Sequence, residues 1–212
     1  TGTLNIETGA GATSITGANN KAFTIDAASL ANATTLTLAD DDTASAFTVT
    51  NLVGDTAQTN LAGALTVTTA DNTDDNTITV VTGAAATDVR TSAGAASDTV
   101  TINANALADD VNLTLNGDTG AAAGNVVIQN LKGDLVSANA TSGSISISLG
   151  NAAGNTVSIG ANSSGTTDFT ITGGDGGDTV TTGAIAGDFI GDDSLASILV
   201  VTGTSAAQTI TG

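Results

Sequence analysis

The chain repeats itself. FTIDAASLANATTLTL from Phe23 returns as VTINANALADDVNLTL from Val100, 77 residues on. FTVTNLVGD from Phe47 returns after 79 residues as VVIQNLKGD from Val126, and TLNIETGAGATSI from Thr3 after 74 as TITVVTGAAATDV from Thr77. GALTVTTADN from Gly63 returns after 80 as GSISISLGNA from Gly143. Four anchors in one order define a unit of 74–80 residues. A fixed period of this kind belongs to arrays in which each unit buries its apolar layer against its neighbours. The units fall at residues 1–75, 76–154 and, in divergent form, 155–212, the third opening as NTVSIGAN from Asn155 beside NTITVVTG from Asn76. The tail TGTSAAQTITG from Thr202 resembles TGAGATSITG from Thr8. The array is therefore expected to close in the phase in which it opened, as a piece of something longer.

Within a unit the period is two. FTI, LTL, FTVT, LTVTT, TITVV, SISIS and FTIT alternate an apolar residue with Thr or Ser, bounded by Gly, Asn and Asp. That is the pattern of short strands with one buried face. No apolar stripe of period 3.6 is present, and AASLANA from Ala27 reads as a turn or one helical turn at most. With aromatic residues at 2% and Pro, Trp, Tyr, Met, Cys and His absent, the core must be built from Val, Ile, Leu and Ala. Such even layers stack well. Two all-β architectures fit: a parallel β-solenoid (β-helix), or tandem Ig-like β-sandwiches with one unit per domain. An Ig-like sandwich brings a larger aromatic core and about 100 residues, so the solenoid is favoured. With three strands per coil and two coils per unit, it would have roughly 39 residues per coil. Five or six such coils would stand about 26 Å tall at ~4.8 Å each.

Charge narrows the function. Three Lys and Arg (Lys21, Arg90, Lys132) face 21 acids, a net charge of −18. Phosphate backbones and anionic membranes are bound through basic residues, so nucleic acid and membrane insertion are excluded as partners. Without His or Cys there is no Ser–His or Cys–His pair and no thiolate metal site. Carboxylate pairs also serve glycosidases, but sugar clefts draw on Tyr and Trp platforms and neither residue is present, so the chain is read as not an enzyme. Mean hydropathy is +0.24, above the range of disordered acidic tails. A Thr-rich, Lys-poor, acidic composition fits a secreted bacterial surface protein.

The sharpest motif is GGDGGDTVT, Gly173 to Thr181. It matches the nonapeptide G-G-x-G-x-D-x-U-x with Val180 as the large apolar residue. It resembles the calcium-binding repeat of RTX proteins and S-layer-like bacterial surface proteins. That resemblance implies Ca²⁺ held by Asp175 and Asp178, with glycines in left-handed turns aiming oxygens inward. The same slot reads AGAASDTVT (Ala93–Thr101) in the second unit and TGANNKAFT (Thr16–Thr24) in the first, so the pattern is kept only in part. A plain solvated Gly–Asp turn reads from the same residues.

Other acidic groups punctuate the strands: Asp40–Asp42, Asp71 with Asp74 and Asp75, Asp109–Asp110 and Asp192–Asp193. They read as solubilising turns that blunt sheet edges, or as weak cation bridges between chains. The T-x-T triplets (Thr35/Thr37, Thr48/Thr50, Thr66/Thr68, Thr77/Thr79, Thr99/Thr101, Thr170/Thr172, Thr179/Thr181, Thr209/Thr211) resemble the ladders of ice-binding β-solenoids. Threonine is also simply a good strand former on a wet face. The expected function is a self-associating structural segment of a surface layer, extracellular filament or giant adhesin. The alternative is a binding module, a carbohydrate- or ice-binding adhesin stalk.

Overall fold

The computed structural model describes residues 2–18, 20–40, 44–59, 61–70, 77–91, 99–117, 124–139, 143–150, 154–160, 168–174, 176–182, 186–190, 200–202 and 208–211. The first unit holds seven strands: β1 (Thr3–Glu7), β2 (Thr13–Gly17), β3 (Ala22–Asp26), β4 (Thr35–Asp40), β5 (Ala46–Leu52), β6 (Asp55–Thr59) and β7 (Leu65–Thr69). The second holds seven: β8 (Thr77–Val81), β9 (Thr87–Arg90), β10 (Thr99–Asn103), β11 (Asn112–Asn116), β12 (Asn125–Leu131), β13 (Asp134–Asn139) and β14 (Ile145–Leu149). The third holds β15 (Thr156–Ile159), β16 (Asp168–Thr172), β17 (Thr179–Thr182), β18 (Ala186–Ile190), β19 (Val200–Thr202) and β20 (Gln208–Thr211).

Among the described residues every strand pairing is parallel, and each joins strands two apart in sequence. The odd-numbered strands form one ten-stranded sheet. The even-numbered strands form a three-stranded sheet, β2-β4-β6, and a seven-stranded one, β8 to β20. The chain is a parallel β-solenoid, and Phe47–Val49 lie parallel to Leu65–Val67 rather than in the hairpin a sandwich would need. The coil, however, has two strands, not three. Leu4, Phe23, Phe47, Leu65, Thr87, Leu113, Leu135, Val157, Val180 and Val201 stand in register down the odd sheet. A coil thus runs from 18 residues (Phe47 to Leu65) to 26 (Thr87 to Leu113). Ten stacked strands span about 43 Å at ~4.8 Å per step. The expected coil of roughly 39 residues is corrected on this point.

The layers are what the alternation dictates. Ile25, Val49, Val67, Val89 and Leu115 line the odd sheet inside, and Val80, Ile102, Ile128, Ile147 and Ile171 the even one, all at 0–1% exposure. Each such side chain contributes about 1.5–3 kcal/mol on burial. Phe23 and Phe47, one coil apart, stack with ring centroids 5.0 Å apart. The even sheet is interrupted between β6 and β8, where side chains accept the next coil's N–H groups: Thr79 N–H donates to Asp55 Oδ1 (2.7 Å) and Val81 N–H to Thr56 Oγ1 (3.2 Å).

Seven strands per unit and two per coil make the unit three and a half coils. Equivalent strands therefore lie on opposite sheets: β1 and β3 on the odd, β8 and β10 on the even. The turns match across this half-turn. Leu30 N–H donates to Ala27 O and Leu107 N–H to Ala104 O, at 3.1 and 3.2 Å. Asp55 N–H reaches Thr34 O and Asp134 N–H reaches Val111 O, at 2.9 and 3.0 Å. Asn51 and Asn130 share φ values of 55° and 53°, and Ala33 and Asp110 share 55° and 57°.

Ala33 is out of place on physical grounds. A left-handed residue with a Cβ is strained by about 1–2 kcal/mol, and asparagine or glycine relieves this. Ala33→Gly should raise stability by about 0.5–1 kcal/mol, after the extra entropy of the unfolded chain is counted. Urea unfolding of the two proteins measures it.

Candidate functional site

The Gly173–Thr181 segment begins just after β16 and runs into β17. The stretches that match it in sequence fall between β2 and β3 and between β9 and β10, the latter mostly outside the described residues. Asp178 is 2% exposed. Its Oδ1 accepts the N–H of Asn155 (3.0 Å), one coil earlier, and its Oδ2 accepts the N–H of Gly174 (3.1 Å). Asp175 lies outside the described residues. The glycines differ from expectation as well. Gly174 and Gly177 are not left-handed; Gly174 is glycine because a Cβ there would strike the Gly150 carbonyl of the previous coil. The constraint is coil-to-coil approach rather than turn hand.

Asn155 is the residue sequence reasoning missed. Its carbonyl accepts Thr179 N–H (2.8 Å). Its side-chain amide, buried with the residue at 2% exposure, donates to Leu131 O (2.9 Å) and Gly133 O (2.8 Å). The residue thus ties the coil below to the coil above through Asp178. Its Oδ1 is buried without a hydrogen-bond partner. One signal was available: an Asn standing immediately before an apolar–Ser/Thr strand, as Asn76 does in the unit before.

The same use of carboxylates recurs. Asp40 accepts Ser45 N–H on one oxygen (3.2 Å), and Ala62 and Gly63 N–H on the other (3.0 and 3.2 Å). Asp134 accepts Thr156 N–H at 2.8 Å, the counterpart of Asp55 with Thr79. Asp26 accepts Ala28 N–H and the Asn51 amide. Corners leave N–H groups that no strand pairs, and short acidic side chains satisfy them. Asp41, Asp42, Asp71, Asp74, Asp75, Asp192 and Asp193 lie outside the described residues. Arg90 meets Asp88 at 3.3 Å, but Arg90 is 59% exposed, so the pair contributes little. Among the described residues no group of three or more Asp and Glu is placed to hold a metal ion. Calcium takes six to eight oxygens, of which Asp178 could supply only lone pairs left over from its N–H donors.

The threonines divide between two faces. Thr48/Thr50, Thr66/Thr68 and Thr179/Thr181 lie on the odd sheet, Thr35/Thr37 on the short even sheet, and Thr77/Thr79, Thr99/Thr101, Thr170/Thr172 and Thr209/Thr211 on the long even sheet. Thr24, Thr48 and Thr66 stand in register, and the column then meets Asp88. Thr79 and Thr101 stand in register and meet Val127. The hydroxyl rows are patches of two or three coils. Shallow grooves lie beside Leu61, Gly83 and Ala106 (about 310 Å³) and beside Asn5, Glu7, Thr24 and Asp26 (about 390 Å³).

No helix among the described residues is long and apolar enough to cross a membrane. No protein-family model, curated protein or solved structure matches the chain.

Proposed function

We propose that this chain is a self-assembling structural segment of a secreted bacterial surface layer, extracellular filament or giant adhesin, with no catalytic role. The observation that carries the reading is the half-turn repeat, which presents the same turns and strand edges alternately on opposite sides of one rod. A body whose surfaces recur at a fixed spacing is suited to regular contacts with further copies or with the rest of a longer chain. Net charge −18 opposes close lateral packing in low salt. Ca²⁺ at the acidic corners, with Asp175 and Asp178 as ligands, belongs to the proposal as the ion that offsets it. A binding role, toward ice or carbohydrate, draws on one observation: the registered hydroxyls of Thr24, Thr48 and Thr66.

Sedimentation with and without Ca²⁺, followed by electron microscopy, tests assembly. Sheets or fibres that form with Ca²⁺ support the lattice reading. A monodisperse monomer at high concentration in both conditions overturns it. In parallel, Tm should fall on adding chelator, and Asp178→Ala should abolish that response; a Tm indifferent to chelator leaves Asp178 with its backbone role alone.

A further inference from the structure

We propose that the segment is an extensible tether: pulled along its axis it gives way coil by coil from an end, and the Asn155 corner is a catch that makes neighbouring coils release together. Among the described residues each strand pairs only with the strands of the coils directly above and below. The ladder hydrogen bonds consequently run along the rod, and β1 stands at one end of the described stack, β19 and β20 at the other. A load drawn between the ends meets these bonds lengthwise. It opens one coil's few bonds at a time, as a zipper opens, instead of shearing a whole sheet at once. The absence of Cys means that no disulfide holds one coil to another. In stacked repeats stability is nearly a sum of nearest-neighbour terms, so partial unravelling leaves the remaining coils folded.

The gain in length is large. A coil of about 22 residues stands ~4.8 Å tall in the stack and reaches roughly 75 Å when drawn out, at 3.3–3.6 Å per residue. One released coil therefore yields about 70 Å of slack.

Among the described residues the catch is seen at Asn155. Asn155 bonds downward through its amide to Leu131 O and Gly133 O, and upward through its N–H and carbonyl to Asp178 and Thr179. Those groups belong to three successive coils, so the ladders on either side of Asn155 are coupled. Peeling the upper coil removes the acceptor of the Asn155 N–H and frees the turn that aims its amide downward. The coils joined there should leave in one event.

The test is single-molecule stretching with handles at residues 1 and 212. The expected trace is a staircase with increments of about 70 Å and one step of about twice that size. Asn155→Ala should split the large step into two single ones, and Asp178→Asn, which keeps the shape but loses a carboxylate oxygen, should lower the force at which it occurs. Rupture of the whole chain in one event overturns the proposal. So does a wild-type staircase without the double step, or a double step that survives both substitutions unchanged.

Discussion

Gly133→Val is expected to unfold the middle of the solenoid, at a cost of about 3 kcal/mol or more. Gly133 lies in the tight turn between β12 and β13. A side chain there would enter the Val111 carbonyl oxygen, and would lie 2.7 Å from Leu107 Cδ2 and 2.9 Å from Ala108 O. The carbonyl cannot swing aside, because it accepts Asp134 N–H at 3.0 Å. Leu107 cannot retreat, being 2% exposed in its own turn. Gly54 holds the same place in the first unit, against Thr34 O, Leu30 and Ala31 O. Gly54→Val should fail to the same degree on the opposite edge of the rod. Gly177 is the control: nothing lies within 4 Å of a Cβ there, so Gly177→Ala should change stability by no more than about 0.5 kcal/mol. Urea melts followed by circular dichroism would rank the three. A Gly133→Val protein as stable as the parent would mean that coil-to-coil approach is not what these glycines serve.

Asn155→Ala should cost about 2–4 kcal/mol. Leu131 O keeps a donor, Gly150 N–H at 2.6 Å, but the amide hydrogen bond to Gly133 O is lost and a cavity opens under the β14–β15 corner. Asn155→Asp should be worse than alanine, since it turns a carboxylate toward two carbonyl oxygens in a buried place. The order Asn, Ala, Asp in thermal melts distinguishes a hydrogen-bonded clamp from simple packing. Packing alone would rank Asp near Asn, to which it is nearly isosteric.

Much of the fold was legible in the sequence because period-two alternation and the 74–80-residue unit are written in side chains. Parallel pairing, the aliphatic core and the turn at Ala27 all followed from it. The coil did not. Strands β6 (DTAQT) and β13 (DLVSAN) open on a polar residue and lack a run of apolar–Thr alternation, so they are not among the alternating segments that mark strands in the sequence. Their pairing is shared with side chains: Asp55, Thr56 and Asp134 accept N–H groups from the next coil. Overlooking one strand per unit turned seven into six, and six into two three-stranded coils. At the candidate site the sequence marked Asp178 as important but could not show toward what. A carboxylate bonded to backbone N–H groups and one bonded to a cation are spelled with the same letter. Asn155 was invisible for a related reason, since its partners are carbonyls from 22 and 24 residues earlier.

An odd number of strands per unit has a consequence for how such a protein can change length over generations. Duplication or loss of a single unit rotates everything beyond it by half a revolution, so a patch that had faced one way afterwards faces the other. Two units, seven coils and about 34 Å at ~4.8 Å per coil, restore the original direction. Lineages under pressure to keep a downstream module pointing the same way should gain and lose these units in pairs, while those free of that pressure should vary by ones.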